Sequence, residues 1–183
     1  MDKKIKDMRN GILSLQTRRF GNMMEIIVRE LYELEECKGS SCNLYDNNKG
    51  YTIALAFSRA LLFAEGNLKV NPLEACICST IHKRSIKSTD TEKRYSCVFQ
   101  QLKLKKFDYL YYGILFKDKV LIFKAPSSDI PRMPCFSNFQ HRDNKNESQF
   151  HIDQTSIRWH LDRYLDRELS YEEIYDLLSN MRK

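Results

Sequence analysis

Apolar positions in the first third of the chain recur at helical spacing. Phe20, Met23, Met24, Ile27, Leu31 and Leu34 fall on one face at 3.6 residues per turn, which predicts a helix from Thr17 to Glu36. Lys38-Gly39-Ser40-Ser41 closes it, with Gly39 as the C-terminal cap. The pattern then changes. A turn-forming stretch, Asp46-Asn47-Asn48-Lys49-Gly50, precedes a run of β-favouring and small residues from Tyr51 to Phe57, which reads as a β-hairpin. Ser58 to Ala64 is read as turning helical, and Asn71-Pro72 opens a further helix from Leu73 to Ile81. Ser85 to Arg94 is polar and reads as a loop.

Two aromatic and β-branched runs, Tyr109 to Phe116 and Val120 to Lys124, flank Lys117-Asp118-Lys119 and predict a second hairpin. Pro126, Pro131 and Pro134 then interrupt regular structure, with Ser127 capping a short turn at Ser128-Asp129-Ile130. Cys135 to Ser148 is a polar loop, and Gln149 to Ile152 is a short strand. Helices follow at Ser156 to Tyr164 and Tyr171 to Leu178, the second with Ser170 as N-cap and Glu173 at its third position. No repeat or low-complexity segment is present. The expected fold is an α/β domain with a central mixed β-sheet flanked by helices.

Composition narrows the class. A length of 183 residues fits one domain, so 1–183 is read as a unit. A hydrophobic fraction of 42% with 11% aromatic residues excludes a disordered chain. No apolar run approaches the roughly 18 residues needed to span a membrane. Met1-Asp2-Lys3-Lys4-Ile5-Lys6 lacks the apolar core of a secretory signal, and a cytoplasmic protein is expected. The six cysteines form no Cys-x-x-Cys pair, and free thiols are the expectation.

The net charge of +6 is concentrated. Between His82 and Lys106 there are eight basic residues against Asp90 and Glu92. Such a patch suits a polyanion, since neutralising phosphates releases condensed counterions; a solvated surface loop is the other reading. The four histidines form no His-x-x-x-His pair, and six glycines give no phosphate-cradling loop, so zinc hydrolases and P-loop or Rossmann nucleotide binders are disfavoured.

The most specific stretch runs from Asp46 through Tyr51-Thr52-Ile53-Ala54-Leu55-Ala56-Phe57-Ser58-Arg59. It resembles the active-site hairpin of the PD-(D/E)XK nuclease superfamily, which includes many type II restriction endonucleases. In that family an Asp precedes a turn and a strand reading Ile-Glu-Val-Lys before Ser-Arg. An ordinary strand with small inward side chains is the alternative. Three further segments strengthen the likeness: Gly21 to Ile27 with Glu25, Phe99-Gln100-Gln101-Leu102-Lys103 followed by Phe107-Asp108-Tyr109-Leu110, and Gln140 to Lys145 leading into Gln149 to Ile152.

The resemblance implies a restriction-endonuclease-like fold, with a DNA-recognition loop and strand around 135–152. It also implies a Mg²⁺-dependent endonuclease, with Mn²⁺ as substitute cation, acting on double-stranded DNA as a homodimer. Asp46 matches the first metal ligand. Ala54 stands where the metal-binding Glu is expected and Ala56 where the catalytic Lys is expected, so the chain is expected to bind DNA without cutting it. Glu25 matches a glutamate that approaches the metal, and Gln101 a residue near the bound phosphate. Asp108 reads as structural.

DNA contacts are expected from Ser58 and Arg59 on the strand and from the backbone-positioning Lys83, Arg84 and Lys103. Base readout is expected from Gln140, His141, Arg142, Asp143, Asn144 and Lys145, whose side chains match base-edge donors and acceptors. A non-catalytic DNA-binding or regulatory protein, in which Ala54 and Ala56 are native, is the alternative. An α/β interaction domain with a solvated basic loop is a third possibility.

Overall fold

The computed structural model describes residues 1–37, 43–62, 76–77, 79, 95–139 and 147–181. In chain order its elements are α1 (Lys3–Ser14), α2 (Thr17–Tyr32), β1 (Glu35–Glu36), β2 (Leu44–Asp46), β3 (Tyr51–Arg59), β4 (Leu61–Leu62), β5 (Tyr95–Leu102), β6 (Tyr109–Leu115), β7 (Lys119–Pro126), β8 (Ser148–Asp153), α3 (Ile157–Tyr164), β9 (Leu165–Ser170) and α4 (Tyr171–Asn180), with short 3-10 turns at Leu104–Lys106 and Ile130–Arg132.

Six strands form a mixed sheet in the order β1-β2-β3-β6-β7-β9, and β4-β5-β8 form a smaller one. Only the β3–β6 pair is parallel among the pairs of the large sheet. A parallel pair requires a crossover, and the chain between them supplies β4 and β5 on the way. Strand alternation divides the large sheet into two faces. Ile53, Leu55, Phe57, Tyr111 and Ile122 pack with α1, α2 and α4. Ala54, Ala56, Leu110, Tyr112 and Phe123 pack with the small sheet and α3. β6 is covered on both faces, which explains its unbroken Tyr-Leu-Tyr-Tyr-Gly-Ile-Leu run. Gly113 is required there, because a Cβ would lie 2.4 Å from the Phe57 ring and 2.7 Å from the Leu121 carbonyl oxygen.

Several expectations hold. The two hairpins are β2–β3 and β6–β7. β8, α3 and α4 occupy the expected segments, and Ser170 and Glu173 form a reciprocal capping box.

Others need correction. α2 stops at Tyr32 rather than Glu36, because Glu33 turns left-handed at φ 53° and donates its N–H to the Arg29 carbonyl, freeing Glu35–Glu36 to pair with β2. Ser58 to Ala64 is not helical as far as Leu62. Ser58 and Arg59 finish β3, and Leu61–Leu62 pair with β5, a partner distant in sequence that overrides local propensity. Cys37 is disulfide-bonded, against the expectation of free thiols, whereas Cys97 is a buried free thiol and Cys135 an exposed one. Of the Leu73 to Ile81 helix, the described residues 76–77 and 79 are not α-helical, Cys76 forming an antiparallel bridge with Leu61, and the rest lies outside the described residues; the Gly39 cap and the Ser85 to Arg94 loop lie entirely outside them. Among the described residues no helix is long and apolar enough to cross a membrane.

Candidate nucleic-acid interface

The hairpin that carries the nuclease resemblance is built from its turn. Asp46 Oδ1 accepts from the Asn48 and Lys49 amides, each at 3.1 Å, and its carbonyl accepts from the Gly50 amide at 2.7 Å. Gly50 sits at φ 71°, a left-handed conformation that glycine adopts without steric cost. The resulting register pairs Asp46 with Tyr51 and Leu44 with Ile53. Residues directly opposite in an antiparallel pair share a face. Asp46 therefore lies on the helical face with Ile53, and Ala54 and Ala56 on the other. The structure does not bring Asp46 together with positions 54 and 56; an even offset from the paired Tyr51 would have been needed, and both positions lie at odd offsets.

On the far face a second set of expected residues does converge. The small sheet packs across the large one, and the two touch where the Cys97 thiol meets the Arg59 carbonyl oxygen at 3.5 Å and hydrogen-bonds Ser58. Burial pushes that thiol pKa up. Two residues along, the Phe99 ring lies 5.6 Å from that of Tyr112, which pairs with Ala56 across the β3–β6 register. Two residues further along β5 is Gln101. Gln101 is exposed at φ 61°, within a register shift between Phe99 and Leu102. A non-glycine residue in this region is uncommon, and bulges of this kind re-aim side chains at the rims of sheets.

Lys103 follows and pairs at 3.7 Å with Glu147, the residue after 140–146, where β5 ends beside the start of β8. Ala54 and Ala56 are half-buried in the seam, or wedge, between the two sheets, and their side chains offer only methyl groups there. Phe139, at 53% exposure, stands just before that segment; its exposed aromatic ring was not singled out by the sequence patterns.

Glu25 reaches the same strand from behind. Its Oε2 accepts from Asn43 Nδ2 at 3.2 Å, while Asn43 Oδ1 accepts from the Leu55 amide at 3.0 Å. Asn43 thus extends the β2–β3 ladder with its side chain and ties it to α2. Asp108 is structural, as expected: Oδ2 accepts from the Thr52 amide at 2.8 Å and hydroxyl at 2.7 Å, which holds its pKa below the usual carboxylate value.

Arg59 is not offered to a ligand in the wedge. Its guanidinium lies 3.9 Å from the Phe20 ring centroid and donates to the Leu15 carbonyl, bracing the α1–α2 junction. Its even offset from Tyr51 places it, like Asp46, on the helical face. Ser58 sits at the seam between the sheets. Lys83, Arg84, Gln140, His141, Arg142, Asp143, Asn144 and Lys145 lie outside the described residues.

Mg²⁺ does not fit this wedge as the chain stands. Positions 54 and 56 offer no donor atom, Asp46 faces away, and no group of three His, Cys, Asp or Glu able to hold a metal occurs among the described residues. Beneath the wedge, His160 is fully buried against Tyr112, whose hydroxyl lies 2.9 Å from its Nδ1. Burial lowers its pKa to about 4, and Nε2 has no hydrogen-bond partner among the described residues. No family model matches this chain, and neither does any curated protein or any solved structure.

Proposed function

We propose that the chain binds duplex DNA in the wedge between its two sheets, as a type II restriction endonuclease whose functional side chains at 54 and 56 have been replaced by methyl groups. The observation that supports this reading is that β3, whose Ala54 and Ala56 pack toward the small sheet, and β5, which leads into Gln101 and Lys103, meet where Cys97 touches Arg59 and Phe99 touches Tyr112. A glutamate at 54 and a lysine at 56 would project from one face of one strand toward the same opening. Lys103 would position a backbone phosphate, and the adjoining 140–145 segment would read base edges. Homodimerisation on a palindromic site matches two-fold DNA symmetry. As it stands the chain binds and does not cleave.

The orientation of Asp46 favours a second reading, a DNA-binding or regulatory protein in which Ala54 and Ala56 are native. The two separate in one experiment. The Ala54→Glu/Ala56→Lys double variant is incubated with mixed-sequence duplex and Mg²⁺, and any ends are mapped. Discrete fragments with a common sequence at each end are the result expected for the endonuclease. Binding without cleavage by folded protein selects the regulatory reading. Absence of both binding and cleavage overturns the DNA interface.

A further inference from the structure

The helical face of the large sheet carries a second polar cavity, of about 320 Å³, that the wedge does not use. Five parts of the chain build it: Tyr32 from the end of α2, Asp46 and Lys49 from the first hairpin, Tyr111 from β6, Lys124 from β7, and Asp166 and Arg167 from β9. Its volume is at the lower end of the range for small-molecule sites.

Cations outnumber carboxylates in its lining, and the carboxylates are partly engaged. The Tyr32 hydroxyl donates to Asp166 Oδ2, and Asp46 Oδ1 is held by the turn amides. Lys49, Lys124 and Arg167 form no ion pair among the described residues. Two of them are held by rings instead. Lys124 Nζ lies 5.0 Å from the Tyr109 ring and 5.1 Å from the Tyr111 ring, and the Arg167 guanidinium lies 5.4 Å from Tyr32. Ring faces orient a cation while leaving its N–H donors available, which a carboxylate partner would not. Tyr111 adds a hydroxyl donor; burial, then the Asp166 and Asp46 carboxylates, push its pKa up to about 12 and keep it protonated.

We infer that this cavity is a binding site for the phosphate group of a phosphorylated ligand of nucleotide size. Lys124, Arg167 and Lys49 would hold the phosphate, and the remaining oxygens of Asp46 and Asp166 would accept hydroxyl donors from the rest of the ligand. The phosphate could belong to a free nucleotide or to a nucleic-acid strand, and the chemistry at these three cations is shared. Because Asp46 and position 54 lie on opposite faces, this site stands independently of the wedge.

Isothermal titration with inorganic phosphate and with adenosine 5′-monophosphate at low salt tests it. Saturable binding is expected, tighter for the nucleotide, and weakened about tenfold by Lys124→Met, which keeps the stem over the two rings, and by Arg167→Gln. Lys49→Ser, at an exposed turn position, supplies a third variant should the β7 change impair folding. Displacement of the nucleotide by duplex DNA would assign the phosphate to a strand; its persistence would assign it to a free nucleotide. Absence of saturable binding to either probe, or affinity unchanged by all three variants, would overturn the site. Unaltered duplex binding by Lys124→Met would leave the wedge interface standing alone.

Discussion

The two faces of the large sheet hold opposite kinds of site. The face toward the small sheet presents the methyl groups of Ala54 and Ala56, and the DNA-binding reading proposed for it rests on a contiguous motif around them. The helical face is a charged cavity assembled from Tyr32, Asp46, Lys124, Asp166 and Arg167, which no local pattern connects. One residue, Asp46, belongs to the motif by sequence and to the cavity by geometry. The lesson is about parity. A hairpin motif states spacing along the chain, whereas the face a side chain occupies depends on register, and a shift of one residue exchanges the faces.

The largest expected effect separates the faces by pH. His160 is buried neutral on the wedge side, with a folded pKa of about 4 against an ordinary value of 6.5. The unfolded chain therefore binds more protons between those values. Stability from this group is complete above pH 6.5 and is lost as pH falls toward 4, by about 3 kcal/mol. Chemical denaturation at pH 7 and pH 4.5 checks this, and His160→Phe should flatten much of the dependence. Equal slopes for both proteins would contradict it.

A change on the helical face comes next. Gly113→Ala puts a methyl group into the Phe57 ring and the Leu121 carbonyl, at an expected cost of about 2 kcal/mol in denaturant unfolding. Asn43→Ala removes the side-chain bridge from Glu25 to the Leu55 amide, leaving that amide to water at the sheet edge. The expected loss is about 1 kcal/mol, and Glu25→Gln, which keeps an oxygen acceptor, should lose less. The smallest effect is on ligand affinity: Lys103→Ala should weaken duplex binding a few-fold and reduce the slope of log K against log salt by about one. The matched change in the cavity, Lys49→Ser, leaves that slope unchanged where the cavity takes a free nucleotide and lowers it where the cavity takes a strand.

Much of the architecture was legible because it is local. The β6–β7 hairpin follows from two β-rich runs around three turn residues, and the α4 capping box from Ser170 and Glu173. What escaped depended on distant partners. β9 reads Leu-Asp-Arg-Glu-Leu-Ser, is mostly exposed, and becomes a strand only because β7 offers its edge. β4 likewise exists through β5. The motif named Ala54, Ala56 and Gln101 but not the orientation of Asp46 and Arg59, since neither the Asp46–Tyr51 register nor the parity it imposes is written in composition or spacing. The cavity was illegible for the same reason, its polar groups lying in segments as far apart as Tyr32 and Arg167.

The central claim, that positions 54 and 56 face a DNA phosphate, is tested most directly by charge alone, in chelator so that no metal intervenes. Duplex affinity is measured for the chain as it stands, for Ala54→Glu and for Ala56→Lys. A unit charge near a phosphate in a solvated wedge is worth about 1 kcal/mol, so Ala54→Glu is expected to weaken binding about fivefold and Ala56→Lys to tighten it by a similar factor. Equal affinities for all three folded proteins would contradict the account.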